Sequence, residues 1–266
     1  MLVLIKGAGD IASGIALRLH RCGFDIVMTE TAQPSAIRRT VCFSEAVRCT
    51  TARVEDVTAR LALSCAEALQ VVAAGDIAVL VDPNAECVAA LSPKVVVDAI
   101  LAKRNLNTRI TDADIVIAIG PGFHAGADCH AVIESNRGHA LGRVILSGAA
   151  EANTGVPGDI GGYTVQRVLR APADGEFTAL RSIGDTVHAG DAVASVEGNP
   201  VLSEIDGILR GLLPTGQRVR AGMKCGDVDP RCRPEHCYTA SDKALSIGGG
   251  VLEAILTLGG AIWQAT

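Results

Sequence analysis

The first thirty residues alternate between short apolar runs and a stretch with helical periodicity. Leu2 to Ile5 is an apolar run that predicts a buried strand, and the residues after the next glycines follow a helical pattern. A second apolar run, Asp25 to Thr29, predicts another strand and ends at the acidic Glu30. The order strand, helix, strand is typical of one half of a parallel α/β sheet.

The turn between the first strand and the helix has the spacing G-x-G-x-x-G/A, with Gly7, Gly9 and Ala12 at the three positions. Gly7 permits the tight turn, Gly9 lets the backbone approach a phosphate, and Ala12 lets the helix pack closely. The free N–H groups of a helix start attract an anion. We therefore predict a Rossmann-type unit, in which Glu30 holds a ribose hydroxyl. The predicted cofactor-binding residues here are Gly7, Gly9, Asp10, Ile11, Ala12 and Glu30. The alternative is a turn that serves only helix packing, with Glu30 solvated.

The rest of the first half continues the alternation of strands and helices. The predicted strands are Ile77–Val81, Val95–Val97 and Ile115–Ile119, and the predicted helices are Ala59–Ala74 and Ala85–Leu91. Ligands of such sheets lie beyond the carboxyl ends of the strands. That rule makes candidates of the residues that follow these strands, namely Asp82, Asp98, Gly120 and Gly122, although helix caps and turns would also explain them.

After Cys129 the pattern becomes strand-like, with long turns between the strands. The predicted strands are His130–Ile133, Arg143–Leu146 and Thr164–Leu169. The basic loop from Arg137 to Arg143, which includes His139, could hold phosphate or pterin oxygens. A solvated loop with surface arginines is the alternative.

An internal repeat occupies the residues from Asp174 to Val228, with a constant offset of 32. Asp174 and Gly175 correspond to Asp206 and Gly207, and later glycines and valines correspond in the same way. Two copies of one strand–turn–strand unit are therefore expected. The pattern resembles the biotinyl/lipoyl hammerhead, or barrel-sandwich hybrid. The family's modified lysine is absent from the stretch between the copies, so the resemblance implies the fold without a swinging arm.

The C-terminal part combines a helix with an unusual run of glycines. Ser241 is a plausible N-cap and Leu252 to Leu258 is helical in pattern. Gly248 to Gly250 would each weaken a helix interior by about 1 kcal/mol. We favour a break between two short helices at this point; close packing against another segment or a ligand is the alternative.

Three residues are catalytic candidates: Cys237, Asp98 and His139. Arg231, Arg233 and His236 would favour a thiolate at Cys237, although a plain reduced cysteine is the favoured explanation. The Cys232-x4-Cys237 spacing lacks a second pair of ligands, so no metal site is predicted.

Composition narrows the function classes. The chain has 266 residues, of which 48% are hydrophobic and 3% aromatic, and its net charge is −5 at pH 7. The negative charge argues against nucleic acid and anionic membrane surfaces as partners. We find no apolar run of the length that spans a membrane and no signal-peptide pattern. The nine cysteines form no dense disulfide framework. These features predict a cytoplasmic protein.

Several segments together carry a family resemblance. They are 7–24 (GAGDIASGIALRLHRCGF), 34–47, 95–105, 119–126 (IGPGFHAG), 134–145, 153–162, 226–231 and 241–255 (SDKALSIGGGVLEAI). In these segments the chain resembles the YqeB-type selenium-dependent molybdenum hydroxylase system proteins. That family is associated with maturation of the selenium-containing molybdenum cofactor of molybdenum hydroxylases. The N-terminal unit also resembles the Rossmann part of XdhC-type chaperones, which bind molybdenum cofactor.

The resemblance implies an accessory protein in maturation of a selenium-dependent molybdenum hydroxylase. NAD or a molybdopterin dinucleotide is the expected cofactor, and molybdenum hydroxylase and its maturation proteins are the expected partners; homo-oligomers are left open. An NAD-dependent oxidoreductase and a non-enzymatic scaffold are the alternatives. The expected fold is a Rossmann-like parallel-sheet domain (1–170) plus an all-β barrel-sandwich hybrid (171–229). A C-terminal segment (230–266) with a helix is expected to pack back on the first domain.

Overall fold

A computed structural model describes residues 1–260 of the chain. The chain divides into two compact units. The first comprises Met1–Pro34, Cys42–Thr154 and the described residues from Ala240 onward, and the second comprises Ser35–Val41 and Gly155–Thr239. Residues 155–170 therefore group with the second unit, although the expected boundary lay after residue 170. The short stretch 35–41 also groups with it, because the Ile37 carbonyl accepts a hydrogen bond from the Leu212 amide.

The first unit is built on a nine-stranded sheet. Its strands are β1 (Leu2–Lys6), β2 (Asp25–Glu30), β3 (Thr51–Val54), β4 (Val57–Ala62), β5 (Ile77–Val81), β6 (Val95–Asp98), β7 (Ile115–Ile119), β8 (Ala131–Ile133) and β9 (Val144–Ile145). They lie in the order β3-β4-β5-β2-β1-β6-β7-β8-β9. Neighbours are parallel except at the two edges, where β3 pairs with β4 and β8 with β9 in antiparallel fashion. The predicted parallel sheet is confirmed.

Helices cover both faces of this sheet. They are α1 (Asp10–Arg21), α2 (Ala46–Cys49), α3 (Cys65–Ala73), α4 (Cys87–Leu91) and α5 (Asp242–Leu258). Val132 of β8 belongs to the core cluster that contains side chains of α3 and α4. The adjacent Ile133 points the other way and lies beside Gly250 of α5. Side chains alternate across a strand, so α5 covers the face opposite α3 and α4.

The strand order reverses between β1 and β6. The chain runs from β1 to β2 and β5 on one side, and then returns to β6 and β7 on the other. Lys6 and Asp98, which end β1 and β6, are register partners, so both strands finish at the same level. We call the edge at which the parallel strands finish the carboxyl edge. Ligands of doubly wound sheets bind at such a reversal.

Two predicted elements differ from the structure. Only the second part of the predicted helix Ala59–Ala74 is helical, because residues up to Ala62 form β4 between β3 and β5. Pairing with two neighbouring strands overrides the weak local preference there. The predicted strand over 164–169 begins as a 3-10 turn, Val165–Arg167, before a strand starts at Val168.

The second unit consists of two four-stranded antiparallel sheets. Its strands are β10 (Val168–Arg170), β11 (Gly175–Ala179), β12 (Thr186–Val187), β13 (Ala192–Val196), β14 (Asn199–Leu202), β15 (Gly207–Leu212), β16 (Gln217–Val219) and β17 (Lys224–Asp229). The sheets have the orders β10-β17-β15-β12 and β14-β13-β11-β16.

The 32-residue repeat is visible in the strand pairing. β11, β12 and β13 of the first copy correspond to β15, β16 and β17 of the second. Each copy gives its short middle strand to the other, since β12 pairs with β15 and β16 pairs with β11. The aspartates that open the copies are exchanged in the same way. Asp174 accepts a hydrogen bond from the amide of Ala221, and Asp206 accepts one from the amide of Ala189.

Helix α5 is continuous through its glycines, so the expected break at Gly248 to Gly250 is wrong. Ser241 caps its start by accepting a hydrogen bond from the Ala244 amide at 3.2 Å, as predicted. A Cβ added at Gly250 would overlap the carbonyl oxygen of Gly142, and one added at Gly248 would lie 3.1 Å from the carbonyl oxygen of Gly14. Close packing against two other segments explains why these two glycines are present.

Within the described residues, no helix combines the length and the apolar character that crossing a membrane requires.

Candidate functional site

The glycine turn after β1 has the conformation that the sequence predicts. Gly7 has a φ of +94°, and its amide donates a hydrogen bond to the carbonyl of Thr29 at 2.9 Å. A Cβ on Gly7 would lie 3.0 Å from the carbonyl oxygen of Ala99. Glycine is therefore required here both by the left-handed backbone and by the close approach of the chain that leaves β6.

The start of α1 offers unused hydrogen-bond donors. The amides of Gly9, Ile11 and Ala12 have no acceptor among residues 1–260. Gly9 precedes the helix with a φ of −69°, and no atom lies within 4 Å of where its Cβ would be. The space beside Gly9 is therefore open, and the N–H groups around it suit an anion.

Glu30 ends β2 beside this turn. One of its carboxylate oxygens accepts a hydrogen bond from the Ala8 amide at 3.1 Å, and the other accepts one from the Thr31 amide at 2.8 Å. The carboxylate thus holds the glycine turn against β2 and remains half-exposed. Its contact with a ribose stays a prediction.

Helix α5 runs parallel to α1, and both start at the carboxyl edge. Ala244 packs against Gly14 near the starts of the two helices, and Gly248 packs beside Ile15 and Arg18 one turn later. The positive ends of two helix dipoles therefore lie side by side at the glycine turn.

Lys243, in the first turn of α5, was missed by sequence reasoning. Burial lowers the pKa of its ammonium group, and nearby Arg137 lowers it further, while Asp10 and Glu134 oppose the shift. Its side chain makes no hydrogen bond or ion pair with any other residue of the described chain. A half-buried cation without a partner is costly, and the only sequence signal was its place two residues after a predicted N-cap.

The basic loop from Arg137 to Arg143 is only partly at this site. Arg137 forms a bidentate ion pair with Asp242, with distances of 2.6 and 3.2 Å. His139 and Arg143 are exposed, and no contact joins either to the glycine turn in the described structure. Arg137 thus joins the start of α5, whereas His139 and Arg143 match the solvated-loop alternative.

Gly120 and Gly122 lie where other segments approach the backbone closely. A Cβ on Gly120 would overlap the hydroxyl of Ser135, and one on Gly122 would lie 2.5 Å from the amide nitrogen of Arg104. The space beside both glycines is filled by the protein itself, so close packing accounts for glycine at these positions, and their contact with a cofactor stays a prediction.

Asp98 and Lys6 form a buried network at the reversal point, each with only 2% of its surface exposed. Asp98 accepts hydrogen bonds from the Thr108 hydroxyl at 2.6 Å and from the Ile100 amide at 3.2 Å. The Lys6 ammonium donates to Thr108 at 2.8 Å and to Asn107 at 3.2 Å, and lies 3.4 Å from Asp112. Both Asp98 oxygens are engaged, which gives Asp98 a structural role in this network, and its catalytic role stays a prediction.

The signal for Lys6 was a single lysine at the end of the apolar run Leu2 to Ile5, immediately before the glycine turn. Asp82 also has a structural role, because it accepts a hydrogen bond from the Cys87 amide at 2.8 Å at the start of α4.

Cys237 differs from the predicted thiolate. It lies in the second unit, is 1% exposed, and its sulfur contacts the carbonyl oxygen of Leu209 at 3.9 Å. Burial raises the pKa of the thiol, and this outweighs the lowering by Arg210 and Arg38. A buried thiol with a raised pKa is unreactive. No group of three or more His, Cys, Asp or Glu suited to a metal ion occurs in residues 1–260.

An open cavity of about 610 Å³ lies elsewhere in the first unit. Its lining includes Lys94 and Asp114, which precede β6 and β7, together with residues of α4. Those positions are at the opposite end of the strands from the glycine turn, and Lys94 and Asp114 are paired with each other at 2.9 Å.

The fold and this edge define an α/β protein with a glycine turn at the reversal point of a doubly wound sheet. The chain is 52% identical over 257 residues to the protein YqeB of Escherichia coli (strain K12), which covers 97% of this chain. Over the matched residues the chain is therefore similar to YqeB. The chain spans about half the length of that relative, since the match covers 48% of it.

No family model matches the chain. Among solved structures, it superposes on an aspartoacylase family protein from Mesorhizobium loti with a TM-score of 0.31 and 13% identity, covering 87% of this chain and 86% of that one. A succinylglutamate desuccinylase/aspartoacylase from Rhodobacter sphaeroides gives a TM-score of 0.29 and 13% identity, with 85% and 84% covered. At such low TM-scores these superpositions support no inference about this chain.

Proposed function

We propose that the first unit binds a phosphate-containing dinucleotide cofactor at the glycine turn, and that the protein is an accessory factor in maturation of a selenium-dependent molybdenum hydroxylase. The observation that carries the binding proposal is the set of unused amides at Gly9, Ile11 and Ala12 beside open space. Both NAD and a molybdopterin dinucleotide contain a pyrophosphate that such a turn can hold.

The charges around the turn support an anionic ligand. Two helix starts meet there, and Lys243 contributes a cation that lacks a partner within residues 1–260. A bound phosphate would pair with Lys243 and offset the cost of burying it. Asp10 and Glu134 lie near enough to act on Lys243, so the ligand would compete with these carboxylates for it.

An adenosine ribose is the group that best suits Glu30. The carboxylate lies at the end of β2, where the ribose of a bound dinucleotide reaches. Its two hydrogen bonds to backbone amides fix its orientation, and each oxygen has a lone pair left for a hydroxyl.

The role in maturation rests on the resemblance of segments along the chain to the YqeB-type selenium-dependent molybdenum hydroxylase system proteins. On this proposal the protein works in the cytoplasm with molybdenum hydroxylase and its maturation proteins, and its first unit acts like an XdhC-type chaperone. We propose further that the second unit, with its exchanged middle strands, is a barrel-sandwich hybrid that carries no lysine arm.

The binding proposal is tested by Gly9→Val. The φ of Gly9 suits any residue and its Cβ site is empty, so the fold should persist while the added methyl groups exclude a phosphate. We expect affinity for ADP and NAD, measured by calorimetry, to fall at least about tenfold, which corresponds to about 1.4 kcal/mol.

Lys243→Met should weaken binding in the same direction, whereas Lys94→Met serves as the control because Lys94 pairs with Asp114 at the other end of the strands. Unchanged affinity in Gly9→Val would remove the phosphate site.

The cofactor itself is identified by mass spectrometry of small molecules released from gently purified protein, with molybdenum and selenium assayed in parallel. Release of NAD together with measurable hydride transfer would favour the oxidoreductase alternative.

A further inference from the structure

The segment 99–109, which we call the switch loop, follows β6 and remains at the carboxyl edge. It contacts the turns that follow β1 and β7, the two strands that flank β6 in the sheet. Ala99 lies against Gly7, and the Arg104 backbone lies against Gly122. The amide of Asn105 also donates a hydrogen bond to the carbonyl of Gly122 at 3.1 Å. The switch loop therefore lies between the glycine turn after β1 and the turn after β7.

Polar side chains, of which Thr108 is buried, hold the switch loop in place. The Thr108 hydroxyl accepts a hydrogen bond from the Lys6 ammonium and donates one to Asp98. The side-chain amide of Asn107 donates a hydrogen bond to the carbonyl of Asn84 at 2.8 Å. Between the ends that are held in this way, Leu101 and Lys103 have a φ of +61°. Left-handed backbone at such residues persists only where the surroundings enforce it, so the conformation of the loop is well determined.

The switch loop presents cations that have no partners inside the described protein. Lys103, Arg104 and Arg109 are exposed, and their side chains make no hydrogen bond or ion pair within residues 1–260. The chain as a whole carries a net charge of −5. A local group of unpaired cations against this background attracts anions to this part of the carboxyl edge.

These cations lie on the side of β1 where the half of a bound dinucleotide without the adenosine would extend. Glu30 ends β2 on one side of β1, whereas the switch loop follows β6 on the other side. A dinucleotide lies across the reversal point with its adenosine ribose toward the acidic residue that follows β2. Its second half then extends over β6, toward Lys103 and Arg104.

We propose that the second half of the bound cofactor is anionic, and that Lys103 and Arg104 recognise it. This inference rests on the dinucleotide site proposed above and narrows its ligand class. The oxidised nicotinamide ring carries a positive charge, which two unpaired cations would repel. A second half that carries an oxyanion would instead gain charge-assisted hydrogen bonds.

Two commercially prepared dinucleotides that differ in one group test this inference. Oxidised NAD has a carboxamide on its ring, and nicotinic acid adenine dinucleotide has a carboxylate at the same position. We expect the wild-type protein to bind the carboxylate form at least about tenfold more tightly in calorimetry, a difference of about 1.4 kcal/mol. In the double variant Lys103→Ala/Arg104→Ala the preference should fall to within about twofold, while affinity for ADP stays unchanged because ADP lacks the second half.

A matched control removes two exposed arginines of the second unit, Arg181→Ala/Arg220→Ala, and changes the net charge equally. That variant should keep the tenfold preference. Two results would overturn this inference and leave the dinucleotide site standing. One is a wild-type protein that binds ADP but shows no preference between the two dinucleotides. The other is a preference for the carboxylate form that persists in Lys103→Ala/Arg104→Ala. Failure of ADP and both dinucleotides to bind overturns the dinucleotide site and this inference together.

Discussion

At the residue scale, a few buried charged side chains decide the shape of the carboxyl edge. Lys6 is the clearest case, because its ammonium has Asn107, Thr108 and Asp112 as partners. All three lie about a hundred positions further along the chain, in the connection between β6 and β7. A single side chain of β1 thereby fixes the loop that flanks the glycine turn.

Lys6→Met should therefore destabilise the first unit. The substitution keeps the apolar stem and removes the donor, so Thr108 and Asp112 lose a buried partner. We expect a loss of about 3 kcal/mol in the free energy of unfolding, measured by urea denaturation.

Lys94→Met is the matched control, because the Lys94–Asp114 pair is more than half exposed on both sides. It should change the free energy of unfolding by less than about 1 kcal/mol. Equal effects of the two substitutions would show that the Lys6 network contributes no more than a surface ion pair.

At the element scale, the pairing of α1 with α5 brings the two helix starts together. Small residues make this possible, since Gly14 accommodates Ala244, and Gly248 accommodates the backbone of α1. The glycines lower the helix propensity of α5, and the close packing compensates for that loss. The site at the carboxyl edge depends on this approach, because Lys243 lies on the first turn of α5.

The three consecutive glycines of α5 should respond differently to alanine. Nothing lies within 4 Å of a Cβ at Gly249, so Gly249→Ala should gain about 1 kcal/mol through helix propensity. Gly250→Ala should lose at least about 2 kcal/mol, because its methyl group would overlap the Gly142 carbonyl. Thermal unfolding of the two variants measures the contrast. A stabilised Gly250→Ala variant would mean that α5 does not pack against the Gly142 segment.

At the scale of the whole molecule, each unit combines an apolar core with a buried group of charged side chains. In the first unit this group centres on Lys6 and Asp98, and in the second it centres on Asp229. Asp229, with 2% of its side chain exposed, accepts hydrogen bonds from Arg231 at 2.6 and 2.9 Å and lies 3.7 Å from Arg210. Burial alone would raise the pKa of Asp229, but the hydrogen bonds and charges of the arginines lower it to about 2.

The second unit should therefore lose stability in acid. A folded-state pKa below the unfolded value contributes stability that is complete above about pH 4 and is lost as the pH falls toward 2. Asp229→Asn should remove about 2 kcal/mol at pH 7, and its deficit against the wild type should shrink as the pH falls through this range.

Tyrosine fluorescence during urea unfolding follows this change, because both tyrosines of the chain, Tyr163 and Tyr238, lie in the second unit. Glu204→Gln is the control, since Glu204 is exposed and makes no bond within the described residues. A deficit for Asp229→Asn that stays constant between pH 7 and pH 2 would contradict the assignment.

Much of the fold was predictable because its signals are local. The apolar runs of β1, β2, β5 and β7 identify buried strands, and the glycine spacing after β1 identifies the turn with a left-handed Gly7. The constant offset of 32 identifies two copies of one β unit, since corresponding turns need corresponding glycines. These features depend on neighbours in sequence, and so the sequence by itself determined them.

The rest was decided by contacts between residues that are distant in sequence. The start of the predicted helix at Ala59 becomes a strand because β3 and β5 pair with it. Gly248 and Gly250 are present in helix α5 because α1 and Gly142 leave no room for side chains there. Only the tertiary structure shows that Asp98 is buried among hydrogen-bond partners, and that burial separates Cys237 from a thiolate. Burial and partner geometry set the chemistry of such groups, and neither is written in the residues beside them.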